Sequence, residues 1–350
     1  MTPEELARKV REWDQRSTGS PFATSKYEII LDQLSYHAKR EWRSYLPATN
    51  SAFNSNYMER LASWVGNLAD ETDQQVFLEY ALHISFFSHD DFVALYQTAF
   101  EREITRWVAE QIGVRLDSGG WTAFRDVVDH QLRWQTWFCP ITDSMDINEF
   151  YKVNHLIGPS HRPHFWTQEM LAKTTGSGVA GLGQRWTDYM ANPSQDPQRR
   201  LPSLERLVLL EDIVGSGKQC LEAVQWAVSN LGKPVLFVPL ILCPNGRRRF
   251  HQEEVKSNGR LKVRPVIELR PGDLLGPERP KNAGWAISER IEKLAERCKA
   301  RATPDQDTFG FENTGCSLAT YSNTPDNTLP IVHSVRPGNW DPLFPRVRRG

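Results

Sequence analysis

Along the first 110 residues apolar positions recur three and four apart, the spacing that gathers side chains on one face of an α-helix. Leu6, Val10 and Trp13 form one such face, and Thr2 ahead of Pro3 supplies an N-cap followed by a first-turn proline. Tyr57, Leu61, Trp64, Val65 and Leu68 form a second. Thr72 with Gln75 has the spacing of a capping box ahead of Val76, Phe77, Tyr80 and Ile84. Ser88 with Asp91 starts another helix, which carries Phe92, Leu95, Tyr96, Ala99 and Phe100 towards Trp107. Reactive groups do not cluster here, so the region reads as a helical scaffold or a partner-binding surface.

From about residue 135 the pattern changes. Short runs with strand character lie at 136–141, 207–214, 235–242, 263–269 and 318–321. The runs at 207–214 and 235–242 are almost continuously apolar, as parallel strands covered on both faces are. Residues 220–231 between them predict a helix, with Gly232 placed as its C-terminal cap. Strand, helix and strand in so short a stretch make a right-handed βαβ unit. The predicted fold class is therefore α/β, a doubly wound, mostly parallel sheet with an N-terminal α-helical region. The predicted division is a helical region over 1–125 and an α/β domain over 126–350.

Composition narrows the function classes. In 350 residues, 39% are hydrophobic and 12 are Trp, enough to bury a real core. Lys and Arg number 42 against 43 Asp and Glu, a net charge of -1 that argues against wholesale binding of nucleic acid or anionic membrane. Cys139, Cys220, Cys243, Cys298 and Cys316 are odd in number and widely spaced, and no C-x-x-C pair exists, which indicates neither a disulfide framework nor a zinc knuckle. Met1-Thr2-Pro3-Glu4-Glu5 lacks the basic and apolar regions of a signal peptide. The longest apolar run, 235–243, contains a proline and is too short to span a bilayer. The expectation is a soluble, reduced, cytoplasmic protein with no membrane partner.

The most informative stretch is 207–219, where an apolar strand ends in Glu211 and Asp212 and a Gly215-Ser216-Gly217 turn opens a helix. Ligands bind beyond the carboxyl ends of strands in this architecture. The glycines let the backbone form a nest of N–H donors, and the helix N-terminus adds a favourable field for a phosphate. Two acids just before the nest fit a ligand that also presents hydroxyls or a magnesium ion near its phosphate. An ATPase P-loop would need a glycine five positions before Gly217 and Ser or Thr after Lys218; Asp212 and Gln219 stand there, so that reading is rejected. An ordinary βα turn with incidental surface acids is the bland alternative.

Glu211-Asp212-Ile213-Val214-Gly215-Ser216-Gly217-Lys218 resembles the ribose-phosphate loop of type I phosphoribosyltransferases: four apolar residues, two acids, two apolar residues, then a small-residue turn. The resemblance implies a phosphoribosyltransferase-like sheet in which Glu211 and Asp212, the catalytic candidates, hold the ribose 2′- and 3′-hydroxyls. It implies magnesium as cofactor, with Asp212 the candidate ligand. The backbone of Gly215, Ser216, Gly217, Lys218 and Gln219, with the Ser216 hydroxyl, would hold the 5′-phosphate. The family usually ends this loop with Thr or Ser, where this chain has Gln219.

Two further segments, 136–154 and 321–330, resemble a narrower branch, the PRTase-CE effectors of bacterial conflict systems. Ser322 and Asp326 depart from the pattern expected in the second segment, and the motifs together span residues 130–335, leaving the helical first third outside. The branch implies antiviral or toxin-like work beside a sensor or a reverse-transcriptase partner, as with the msDNA of some retrons. By the same resemblance Thr142, Asp143 and Ser144 are pyrophosphate candidates, although Asp or Ser before a helix is equally an N-cap. Asn323, Thr324 and Asn327 could read a base edge or ribose, or form a turn held by local side-chain bonds.

Other patterns carry less. Gly176-Ser177-Gly178-Val179-Ala180-Gly181 matches the dinucleotide glycine spacing without a preceding strand or an acidic ribose ligand, and reads better as a mobile loop over the active site. Arg247, Arg248, Arg249, Lys256, Arg260, Lys262, Arg264 and Arg270 form a basic run that could meet pyrophosphate or nucleic acid, or lie on a solvated hairpin. His155, His161 and His164 have neither zincin spacing nor nearby cysteines, so no metal is assigned to them. The expected function is a magnesium-dependent, phosphoribosyltransferase-like defence effector acting on PRPP or a related nucleotide. The alternatives are a nucleotide-sensing module without turnover, and a hydrolase of nucleotide N-glycosidic bonds.

Overall fold

The computed structural model describes residues 1–18, 25–49, 56–113, 120–156 and 205–347. Its contacts part the chain into two compact units, Met1–Phe92 with Arg270–Gly350, and Val93–Leu269. This differs from the predicted division at residue 125 in two ways: residues 93–125 group with the sheet, and the segment from Arg270 shares a core with the first helices.

The first unit opens with α1 (Pro3–Thr18), α2 (Lys26–Arg40), α3 (Tyr57–Gly66), α4 (Glu71–Ala81), β1 (Ser85–Phe87) and the start of α5 (His89–Thr98), which passes into the second unit at Val93. Thr2 and Glu5 cap α1 reciprocally: the Glu5 N–H donates to Thr2 Oγ1 at 3.2 Å, and the Thr2 N–H to Glu5 Oε2 at 2.8 Å. Ser88 and Asp91 exchange the same pair of bonds ahead of α5. The box predicted at Thr72 and Gln75 is not the cap of α4. Asp70 takes that place, accepting the Asp73 N–H at 3.1 Å, so the helix starts earlier than the spacing of its polar residues predicts. The side chain of Ser25 makes no cap bond to α2, and the buried Asp14 carboxylate of α1 accepts the Tyr27 and Glu28 N–H groups in its stead.

The second unit continues from α5 through a π-helical turn, Ala99–Ile104, into α6 (Thr105–Ile112) and α7 (Gly120–Trp134). Its sheet is built from β2 (Thr136–Pro140), β3 (Arg206–Val214), β4 (Val235–Leu242), β5 (Leu261–Val263) and β6 (Ile267–Glu268). The order is β2-β3-β4, with β5 and β6 both along the far edge of β4, and every pair is parallel. The helices α8 (Ile147–Val153), α9 (Lys218–Asn230) and α10 (Pro244–Lys256) follow β2, β3 and β4. All of β4 is buried, as its continuous apolar run requires. The predicted strand at 263–269 is divided in two. The break, over 264–266, contains Pro265 and lies beside Pro239 of β4; neither proline has an N–H to give, although Val266 N–H still bonds to the Pro239 carbonyl. Residues 244–256 are helix, not the hairpin considered for the basic run. Gly232, at φ +61°, ends α9 in the left-handed conformation expected of it. Trp137, Cys139, Leu207, Leu209, Val224 and Phe237 belong to the core of this unit.

The first unit is completed by α11 (Ser288–Ala302), β7 (Leu318–Thr320) and α12 (Pro330–His333). The predicted strand at 318–321 exists as β7, but it pairs with β1 in a separate two-stranded parallel sheet. Trp64 stacks on Phe77 with ring centroids 4.1 Å apart, and the indole N–H groups of Trp64 and Trp340 both donate to the Ile331 carbonyl. No helix among the described residues is long and apolar enough to cross a membrane.

His333 lies in this core, and its Nε2 donates to the Thr328 carbonyl at 3.1 Å. Burial pushes its pKa down from 6.5 to about 3, and Arg346 adds to the shift. Between those values the unfolded chain takes up a proton that the folded chain refuses. The stabilisation is therefore complete above pH 6.5 and is lost as pH falls towards 3, by about 2 kcal/mol at pH 5. Thermal melts at pH 7.5 and 5 should show a larger acid-induced drop for the wild type than for His333→Gln, whose amide keeps the bond to Thr328 and does not titrate.

Candidate functional site

The sheet places three chain segments side by side at its carboxyl edge. Residues 142–144 leave β2, residues 211–217 end β3 and turn into α9, and residues 243–246 leave β4 and enter α10. The registers Pro140↔Leu210 and Val214↔Leu242 bring them together. Ile141 N–H bonds to the Leu210 carbonyl, Cys243 N–H to Val214, and Gly246 N–H to Gly215, each at 2.9 Å.

Adjacent residues of a strand point to opposite faces, so Glu211 and Asp212 enter different surroundings. Glu211 is 2% exposed, whereas Asp212 is half-buried. The Glu211 carboxylate accepts the Thr142 N–H on Oε2 at 3.0 Å and the Thr142 hydroxyl on Oε1 at 2.6 Å, with the Ser144 hydroxyl at 3.5 Å. Asp212 Oδ1 accepts the Ser144 hydroxyl at 2.9 Å and the Ile213 N–H at 2.7 Å. The Thr142 and Ser144 hydroxyls lie 2.7 Å apart. Burial drives the Glu211 carboxyl well above the usual carboxylate range; the charge of Asp212 adds to this, and the bonds from Thr142 and Ser144 oppose it. Burial, then the same two acids, also raise the Cys220 thiol in the first turn of α9.

Gly217 sits at φ +76° directly before α9, whose first N–H groups have no acceptor within the helix. Ser216 Oγ accepts the Lys218 N–H at 3.3 Å, which leaves its own proton to donate. Gly215, Ser216 and Gly217 are buried, whereas Lys218 and Gln219 are exposed at the start of the helix. A Cβ on Gly217 would stand 2.8 Å from Phe250, and one on Gly246 would stand 2.9 Å from the Gly215 carbonyl. Gly246 and Phe250 of α10 thus back the turn. Nothing in the local pattern of residues 207–219 pointed to them, because they follow on the next strand.

The other candidates divide clearly. Thr142 and Ser144 meet the acid pair, and the N-cap of α8 is Asp146, which accepts the Glu149 N–H; the exposed Asp143 does not serve as that cap. Asn323, Thr324 and Asn327 lie in the first unit, and their side chains bond to its own chain. Asn323 Nδ2 donates to the Val347 carbonyl, Thr324 Oγ1 to Phe344, and Asn327 Nδ2 to Thr314 Oγ1. Within the described residues the basic run forms ion pairs that include Arg247 with Glu268, Lys256 with Glu253, Lys262 with Glu254, Arg264 with Glu110 and Arg270 with Asp273. Gly176 to Gly181, His161 and His164 lie outside the described residues. Among the described residues no group of three or more His, Cys, Asp or Glu could hold a metal unaided.

A model of the PRTase-CE family matches residues 61–346, more than half of the chain, and so takes in part of the helical first third that the sequence motifs left outside. No curated protein and no solved structure matches.

The packing of the turn yields a test. Gly217→Ala should lower the melting temperature by the equivalent of about 1–3 kcal/mol, from the left-handed backbone and the contact with Phe250 together. Gly232→Ala, with a similar φ and open space around the new Cβ, should cost about 1 kcal/mol or less. Thermal or urea denaturation of both variants decides it.

Proposed function

Since the chain belongs to the PRTase-CE family, we propose that it is an effector of a bacterial anti-phage defence system that binds PRPP, or a related ribose-phosphate nucleotide, with magnesium and acts at the anomeric carbon. The mixed α/β architecture with parallel strands is that of a phosphoribosyltransferase-like domain. The observation that carries the reading is the meeting of an acid pair with a glycine turn at the start of a helix, on one carboxyl edge of the sheet. Such an edge offers donors to a 5′-phosphate and, a few residues away, a carboxylate acceptor to ribose hydroxyls.

The proposed chemistry breaks the bond between C1 of the ribose and the leaving pyrophosphate, which departs with the bonding electrons. Positive charge develops at the anomeric centre, and a carboxylate close to the ribose stabilises it more in the transition state than in the ground state. A nucleophile then forms the new bond to C1. Magnesium, when bound, would neutralise charge on the pyrophosphate. The donor set fits an ion that arrives with its ligand, since one or two carboxylates plus substrate phosphates are the common magnesium environment. Asp212 is the residue that would hold it. Ser144, half-buried beside Asp212, would contact the pyrophosphate, and Thr142, bonded to Glu211, would hold the loop that carries it.

Gln219, in place of the Thr or Ser usual in type I enzymes, favours a second reading, a nucleotide sensor that binds without turnover. With water as nucleophile the same site would hydrolyse an N-glycosidic bond. We further propose that it works in the cytoplasm beside a partner, such as the reverse transcriptase and its msDNA in a retron.

Incubation of the purified protein with PRPP, NAD, nucleotides and RNA in magnesium separates these readings. Asp212→Ala is expected to lose turnover by about 100-fold or more. Binding without turnover in the wild type would identify a sensor. If Glu211→Ala/Asp212→Ala changes neither ligand binding nor cellular toxicity, the site lies elsewhere.

A further inference from the structure

By its place before the glycine turn Glu211 is an obvious acid to face a ligand, yet its carboxylate is spent inside the protein. It is 2% exposed, and both oxygens accept hydrogen bonds from the 142–144 loop. Ile141 N–H still bonds to the β3 main chain, at the Leu210 carbonyl; one residue on, the Thr142 N–H has the Glu211 side chain as its acceptor. The Ser144 hydroxyl is held from two sides, by Thr142 Oγ1 at 2.7 Å and by Asp212 Oδ1 at 2.9 Å. Asp212 and Ser144 are both half-buried, so they retain access that Glu211 lacks.

We propose that Glu211 is a positioning residue: it fixes the 142–144 loop beside the glycine turn, and contact with the ligand at the end of β3 falls to Asp212 and Ser144. The inference rests on the reading of this edge as a PRPP site and narrows which of its groups touch the ligand. Truncating Glu211 would leave the buried Thr142 N–H without its acceptor and the Thr142 hydroxyl with only Ser144 to bond. An amide at this position can do the same work. Its oxygen accepts the Thr142 N–H and its NH2 donates to Thr142 Oγ1, while it offers no charge to a ribose hydroxyl or a metal ion.

Three variants of the full chain, Glu211→Gln, Glu211→Ala and Asp212→Asn, test this by calorimetric titration with PRPP and magnesium. Hydrogen exchange across residues 141–146 without ligand gives a second readout. Glu211→Gln should stay within about threefold of wild type in both measurements, whereas Asp212→Asn should lose about tenfold or more in PRPP affinity. Glu211→Ala should lose about tenfold in affinity and exchange the Thr142 amide about tenfold faster. Loss of PRPP affinity in Glu211→Gln as large as in Asp212→Asn, with exchange unchanged, would overturn the proposal. If wild type does not bind PRPP, the site reading fails and exchange alone decides: fast in Glu211→Ala and slow in Glu211→Gln supports positioning, equal rates refute it. Should Glu211→Ala not fold, Thr142→Val replaces it, with a loss of about tenfold in affinity expected and no loss counting against the role.

Discussion

Parallel pairing of β3 on both of its edges is the constraint from which the site follows. With β2 on one side and β4 on the other, the backbone of β3 is committed to the sheet from Arg206 onward. New chemistry can begin only where the strand leaves its neighbours. Parallel strands all leave at the same edge, so the segments after β2, β3 and β4 arrive there together, which is why ligands collect at such edges. The bond from Gly246 to Gly215, and the fit of Gly217 against Phe250, then set the shape of the turn from behind.

The same geometry separates two adjacent acids. A strand turns successive side chains to opposite faces, and only one face at this point is closed over by the 142–144 loop. Glu211 is enclosed and its charge disfavoured, while Asp212 keeps access to solvent and shares Ser144 with it. A chain of carboxylate, hydroxyl, hydroxyl and carboxylate results, linking residues that are 69 positions apart in sequence. Each hydroxyl has a single proton to donate, so with Thr142 donating to Glu211 that of Ser144 is shared between Asp212 and Thr142.

Local signals were legible wherever local physics decides the outcome. The apolar run at 235–242 became β4 without a change of boundary, and Gly232 took the left-handed cap predicted for it. The exchange between Ser88 and Asp91 depends only on a three-residue spacing, and it formed. Where two local solutions competed, spacing alone chose wrongly. Asp70 and Thr72 can both cap a helix, and the earlier one prevailed. The strand predicted at 263–269 is interrupted over 264–266, where Pro265 of the segment and Pro239 of β4 each lack an N–H to donate.

By itself the sequence determined a helical beginning, a parallel βαβ core, and an acid pair running into a glycine turn, because each is written in periodicity and residue type over a few neighbouring positions. Tertiary structure alone decided that β7 joins β1 and that the C-terminal segment belongs with the first helices. It also decided which of the two acids is enclosed, and that Thr142 and Ser144 are the groups that meet them. These outcomes depend on which distant segments bury their apolar faces against one another. No local period records that choice, because the same alternation of side chains would serve several partners equally well.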